Sequence, residues 1–294
     1  MLTSKQFHNK IAAGLRYLDG ATGSNLQKAG MPKGCCTEQW VLEHPEALIR
    51  LQQSYAEAGC QILYAPTFQA QPIALERVGL AEQTEMVNEK LVAISRQAAP
   101  GCLIAGDITT LAAFTDSWDP ENFDLLVENY RRQIRGLIDG GADLLIAETL
   151  MYPQEAEAIL TAAELEQAGA VMYSFVMTGD GALFSGADVG PVLRELEEAG
   201  AAAVGFNCVA ADRMTPYLVT KLRRYVRGPL ICKPNAGIPV IGSDGIPCYT
   251  MDREAFTDIQ SQCLANGATL LGGCCGTDPD LLAHMIKALS CQKE

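Results

Sequence analysis

Basic residues are scarce in this chain. Lys and Arg number 22 against 35 Asp and Glu, for a formal net charge of −13, and they form no extended basic cluster. A chain that neutralises nucleic-acid phosphates needs such a cluster, so a nucleic-acid partner is not expected and an acidic, solubilising surface is. No stretch approaches the roughly 18 uninterrupted apolar residues of a membrane helix, although hydrophobic residues make up 48% of the chain. The opening MLTSKQFHNK is polar and basic with no apolar stretch behind it. It does not read as a secretory signal, and a cytoplasmic location is the expectation. Eleven cysteines in 294 residues are too few for a disulfide scaffold, so they are expected mainly as thiols, some of them metal ligands.

What is present is a repeated switch between short β-like apolar runs and longer helical periods, the pattern of βα units on a parallel sheet. Eight strands are predicted: Leu15 to Asp19, Gln61 to Thr67, Cys102 to Thr109, Asp143 to Glu148, Val171 to Met177, Ala203 to Asn207, Leu230 to Asn235 and Thr269 to Gly273. Between them apolar residues recur at three and four, as in Phe123, Leu126, Val127, Tyr130, Ile134, Leu137 and Ile138, which describes amphipathic helices. The last helix places Leu281, Leu282, Met285, Ile286 and Leu289 on one side, with Asp278 and Pro279 at its start. Ala58-Gly59, Gly140-Gly141, Ala168-Gly169, Ala199-Gly200 and Asn266-Gly267 read as helix ends just before strands. Eight strands alternating with helices predict a single α/β domain over residues 1–294, a (β/α)8 TIM barrel. The irregular stretches Gly20 to Cys36, Pro66 to Leu75, Thr109 to Pro120 and Pro234 to Tyr249 follow strands and would form its catalytic face.

Three cysteines fall at predicted strand ends: Cys208 in Gly205-Phe206-Asn207-Cys208, and Cys274 with Cys275 in Gly272-Gly273-Cys274-Cys275-Gly276. Both segments point to the same rim. Neighbours on a regular strand face opposite ways, so one metal reaches both Cys274 and Cys275 only where the backbone turns, as Gly272, Gly273 and Gly276 allow. Three thiolates suit Zn²⁺ and leave a fourth tetrahedral position for water or substrate. A substrate thiol there would ionise at neutral pH and become a nucleophile. Vicinal cysteines can also be small buried hydrophobes, and Cys35-Cys36 is either a second thiol pair near the mouth or incidental.

Carboxylates stand at the same rim. Asp19 opens the flexible loop Asp19-Gly20-Ala21-Thr22-Gly23, whose exposed amides suit a substrate carboxylate, and Glu148 ends the run Leu144 to Ala147. Together with a metal-held sulfur they describe a pocket for an amino acid bearing a thiol. Each has a plainer reading, Asp19 as a helix cap and Glu148 as part of a rim ion network. Lys233, the only lysine inside a predicted strand, and Asp107 admit a barrel aldolase or isomerase instead.

Asp19-Gly20-Ala21-Thr22-Gly23, Gly205-Phe206-Asn207-Cys208 and Gly272-Gly273-Cys274-Cys275-Gly276-Thr277 resemble the three principal motifs of the homocysteine S-methyltransferase family. Pro234-Asn235-Ala236-Gly237-Ile238-Pro239 is more similar to the N-terminal homocysteine-binding module of cobalamin-dependent methionine synthases than to betaine- or S-methylmethionine-using members. The resemblance implies a zinc-dependent methyltransferase with zinc on Cys208, Cys274 and Cys275 and homocysteine as acceptor. It implies that Asp19 and Glu148 hold the amino group and that the amides of Gly20 and Ala21 hold the carboxylate. Asn207 would support the zinc loop, and Thr67 with Phe68 would form the rim after the second strand. Methylcobalamin on a separate corrinoid protein or module is the implied donor. S-methylmethionine or another small donor, selenocysteine or another thiol as acceptor, and a closed-site zinc-binding accessory protein are the alternatives. Gly106-Asp107-Ile108-Thr109-Thr110 departs from the Gly-Ser-Ile-Gly-Pro more usual in the family.

Overall fold

The computed structural model describes residues 1–241 and 247–291. Its strands are β1 (Ile62–Tyr64), β2 (Leu103–Thr109), β3 (Leu144–Leu150), β4 (Val171–Phe175), β5 (Ala203–Ala210), β6 (Leu230–Asn235), β7 (Val240–Ile241), β8 (Pro247–Cys248) and β9 (Leu270–Leu271). Seven of them form one parallel sheet in the order β1-β2-β3-β4-β5-β6-β9, and β7 and β8 pair as a separate antiparallel ribbon. That ribbon lies in the stretch Pro234 to Tyr249, of which residues 242–246 are outside the described residues.

The expected strand Leu15 to Asp19 is the main departure. It is reduced to single parallel bridges, Tyr17 to Leu271 and Leu18 to Ile62. The Leu18 amide donates to Leu271 at 2.8 Å and the Asp19 amide to Ile62 at 3.1 Å, so this segment touches both edges of the sheet. Gly272 packs against it, and a β-carbon there would stand 2.8 Å from the Asp19 carbonyl. The final strand is correspondingly shorter than expected, ending at Leu271.

Period-two alternation sorts the strand residues into two layers. Ile62, Ala105, Leu144, Ile146, Met172, Ala203, Ile231 and Leu270 face inward and pack around Phe7. Leu63, Ile104, Leu145, Tyr173, Val204, Phe206 and Leu271 face the surrounding helices. The same alternation carries one step further along the inward face to Asp107, Glu148, Asn207 and Lys233, all buried. The sheet interior is therefore apolar at the strand starts and polar at the strand ends.

The helix Ser4–Ala12 seals the apolar end. Thr3 and Gln6 form its capping box, and Leu2 is tied by backbone bonds of 2.7 Å to Asp143 and Ala170. The helix Phe123–Asp139 buries Leu126, Val127, Tyr130, Ile134 and Leu137 as expected, and with them Gln133. The helix Pro279–Cys291 buries the five apolar residues anticipated for it. Four of the expected Gly helix ends have positive φ, at Gly59, Gly141, Gly200 and Gly267. The fifth does not: the helix Pro153–Leu165 ends through Gln167, at φ 54°, because its αL residue comes two positions before Gly169. No helix among the described residues is long and apolar enough to cross a membrane.

Phe7 is fully buried in the inner layer. Replacing it with Ala should cost about 3–5 kcal/mol, read as a lowered midpoint in chemical denaturation. A loss under about 1 kcal/mol would mean that the helix does not close this end.

Candidate metal centre and substrate cavity

Two bulges shape the polar rim. The β3–β4 register slips between Ala147 and Leu150, and the β5–β6 register slips between Asn207 and Ala210. At each slip a residue other than glycine takes positive φ, Thr149 at 59° and Cys208 at 57°, a conformation L-residues rarely adopt. Bulges re-aim side chains at sheet ends. Here one lies beside Glu148 and the other turns Cys208.

The Asn207 carboxamide joins the two bulges. Its Oδ1 accepts the Thr149 amide at 2.8 Å and the Ser174 hydroxyl at 2.9 Å. Its Nδ2 donates to the Thr149 hydroxyl at 2.7 Å, with Glu148 at 3.4 Å and the Cys274 sulfur at 3.8 Å.

On the other side, the turn after β9 is held by backbone bonds from Cys274 N–H to Pro234 at 2.8 Å and from Ala236 N–H to Cys275 at 2.9 Å. Gly276, at φ 81°, makes the turn that both cysteines need. Gly272 and Gly273 have ordinary φ, and at Gly273 the space a β-carbon would fill belongs to Thr277.

The result is a cluster of three sulfurs, all within 4.8 Å of one another. Cys208 Sγ lies 3.0 Å from Cys274 Sγ and 3.7 Å from Cys275 Sγ. Three thiolates about 2.3 Å from one tetrahedral zinc stand roughly 3.8 Å apart, so the set is close to the spacing a single ion would impose. Hydrogen bonding to Cys208 and Cys274 holds the Cys275 thiol down at about 3, while hydrogen bonds with Cys274 and Cys275 push Cys208 far up. Three crowded thiols cannot all ionise without a cation, and a bound dication is what would let them. The donor set and its spacing fit zinc. The Tyr249 ring packs against Gly276, and its hydroxyl helps to hold the Cys275 thiol down, a contact the sequence reading did not anticipate.

A cavity of about 260 Å³ opens beside the sulfurs, lined among others by Gly20, Ala21, Phe68, Asp107, Glu148 and Lys233. A larger groove of about 900 Å³, lined by Gly14, Cys60 and Gly101 among others, runs along the strand starts, away from the thiols. The candidate site is the smaller one, where the three thiols and the titratable groups converge.

The expected site residues divide into those at the cavity and those behind it. Gly20, Ala21, Glu148 and the three cysteines line it. Asp19 is buried against Tyr64, whose amide it accepts at 2.7 Å. Thr67 is fully buried and its hydroxyl both donates to and accepts from the Asp107 backbone at 2.9 Å. It braces β2 instead of contacting the cavity. The Ala21 amide is not free for a carboxylate, because it donates to Thr277 Oγ1 at 3.2 Å, and Thr277 in turn donates to the Cys274 carbonyl at 2.7 Å. This bond couples the first loop to the thiol turn. Of the Cys35-Cys36 pair, Cys36 is buried with its thiol donating to Glu38 at 3.2 Å, and neither belongs to the sulfur cluster.

Lys233 is the residue whose place the sequence reading did not supply. It is 3% exposed, 3.6 Å from Asp19 Oδ1 and 3.7 Å from Glu148 Oε2, with its ammonium 4.5 Å from the centre of the Tyr64 ring. Burial works to lower its pKa, but Glu148 and Asp19 hold it well above the usual lysine value. A Schiff-base aldolase needs the neutral amine, so this lysine is in the wrong state for that chemistry.

The homocysteine S-methyltransferase family model matches residues 17–289. The chain is 25% identical to the methionine synthase of Mycobacterium leprae (strain TN) over 92% of its own length and spans 24% of the length of that relative. Among solved structures it resembles the homocysteine methyltransferase MmuM from Escherichia coli. The metallated form superposes with a TM-score of 0.81 at 25% identity, covering 96% of this chain and 99% of the other. The oxidized form gives 0.79 at 26% identity, over 94% and 96%.

The buried carboxyls set a pH response. Burial pushes Asp19 up to about 7 against the pull of Lys233, and does the same to Glu148. Both then bind protons in the folded chain at pH values where the unfolded chain, with carboxyl pKa values near about 4, has released them. Their contribution to stability is present at low pH and declines as pH rises from about 4 to about 7. Glu148→Gln should flatten that decline in denaturant titrations across the window, and an unchanged slope would contradict the assignment.

Proposed function

Because the chain belongs to the homocysteine S-methyltransferase family, we propose that it transfers a methyl group to the thiol of homocysteine, giving methionine, with zinc held by Cys208, Cys274 and Cys275. The observation that carries this reading is the convergence of three sulfurs within 4.8 Å at the wall of a cavity that also exposes Glu148, Asp107 and Lys233. When bound there, zinc supplies the Lewis acidity that keeps an incoming thiol ionised at neutral pH, where a free thiol with pKa near about 8.5 is mostly protonated. The protein's own groups do the rest. Asn207 fixes the bulge that aims Cys208, and Thr277 links the thiol turn to the loop after Asp19. Asp19 and Glu148 share the charge of Lys233, which sets a polarised wall opposite the sulfurs.

With the Ala21 amide engaged by Thr277, the Gly20 amide, at the wall of the same cavity, is the one we assign to the substrate carboxylate. Placement of the amino acid by these groups aligns its sulfur for in-line displacement at the methyl carbon. The bridges of Tyr17 and Leu18 to both sheet edges support reading the fold as one closed (β/α)8 barrel over residues 1–294. The chain spans 24% of the length of the methionine synthase it resembles, and the donor we assign is methylcobalamin on a separate corrinoid protein or module.

A methyl-transfer assay with homocysteine against methylcobalamin, methyltetrahydrofolate with a corrinoid protein, S-methylmethionine, S-adenosylmethionine and betaine tests donor and acceptor together. Cys208→Ala should lose stoichiometric zinc and reduce homocysteine methylation by more than about 100-fold. One zinc per chain retained in that variant would overturn the ligand assignment.

A further inference from the structure

Asp107 is the cavity's unassigned carboxyl. It is 5% exposed and lines the cavity with Glu148, Lys233 and Cys274. Its backbone is immobilised, with its N–H donating to Thr67 Oγ1 at 2.9 Å and its carbonyl accepting from Thr67 Oγ1 at 2.9 Å and Gln133 Nε2 at 3.1 Å. Its side chain, in contrast, has a buried oxygen, Oδ1, with no hydrogen-bond partner among the described residues. Asp19 Oδ1 also has no hydrogen-bond partner among the described residues, but it stands 3.6 Å from the Lys233 ammonium. A buried carboxyl unpaired in a cavity wall with no cation beside it is costly unless a ligand completes it.

The charges nearby say what kind of ligand that is. Among the described residues, three buried carboxyls, Asp19, Asp107 and Glu148, face one ammonium, Lys233, and its ion pairs run to Asp19 and Glu148. Asp19 also accepts the Tyr64 amide. Asp107 is therefore the carboxyl left without a cation. Burial, and after it the charge of Glu148, pushes its pKa well above the usual range, the state of a group that ionises fully only when a positive charge arrives.

We infer that Asp107 contacts the α-ammonium of the amino-acid substrate and makes the site selective for thiols that carry an amine. This rests on the reading of the site as an amino-acid thiol pocket. It shifts the principal ammonium contact from the Asp19–Glu148 pair, which Lys233 already occupies, to the residue at which the chain departs from the family's usual motif.

The test is calorimetric titration of the zinc-loaded protein with homocysteine and with 4-mercaptobutanoate, the same thiol acid without its amine. Wild type should bind homocysteine more tightly. Asp107→Asn, of equal volume, should weaken homocysteine by about 10- to 100-fold and leave 4-mercaptobutanoate unchanged, with unaltered zinc content. Asp107→Ser should behave alike. Homocysteine affinity within about twofold of wild type in either variant, or equal weakening of both thiols, would overturn the inference while leaving the pocket reading intact. Failure of the wild-type protein to bind either thiol would remove both.

Discussion

The carboxamide of Asn207 holds together the two irregularities on which the site depends. A bulge in β3 and another in β5 each force a residue other than glycine into positive φ. Neither would persist unless neighbouring structure over-determined it. Asn207, fully buried, does so by accepting the Thr149 amide and Ser174 hydroxyl with one end and donating to Thr149 with the other. A satisfied buried network of this kind is rigid, because each lost partner leaves an unpaired group in low dielectric. The bulge residue Cys208 and the strand-end Glu148 are thereby fixed relative to one another.

Around that anchor the interior changes character along the strands. The apolar layer packed on Phe7 gives way to a layer of carboxyls, one lysine and thiols. Burying so many ionisable groups opposes folding, as the raised pKa values of Asp19 and Glu148 record. Local rules are broken at one end of the sheet and obeyed at the other, which is the distribution expected when the polar end serves a ligand. The thiol cluster and the acid–lysine cluster are also complementary in kind. One gathers three sulfur ligands and the other has more carboxyls than ammonium groups, so a metal and an ammonium-bearing ligand together would balance the cavity.

Much of this was legible from residue order. Strand ends rich in Cys, Asp and Glu, helix stripes at three and four, and Gly at most helix ends all follow from short-range geometry, and β6 matched its expected bounds. The departures from expectation have a common cause. The expected first strand dissolves into two bridges, the Ala21 amide is taken by Thr277, and Thr67 braces Asp107 from behind. Each depends on a partner 40 or more residues away: Thr277 is separated from Ala21 by 256 positions and Asp107 from Thr67 by 40. Gln167 took a left-handed conformation usually left to glycine.

By itself, then, the sequence determined the α/β class, the family, the three cysteines and the carboxylates at strand ends, because periodicity, residue chemistry and motif are local properties. Only tertiary structure decided which of those groups are free. It turned Cys208 at a bulge and spent the charge of Lys233 on Asp19 and Glu148. It also left Asp107 Oδ1 without a hydrogen-bond partner among the described residues. Whether a polar group is satisfied is a question about every atom within hydrogen-bonding distance, and that set is assembled only when distant strands close around one cavity.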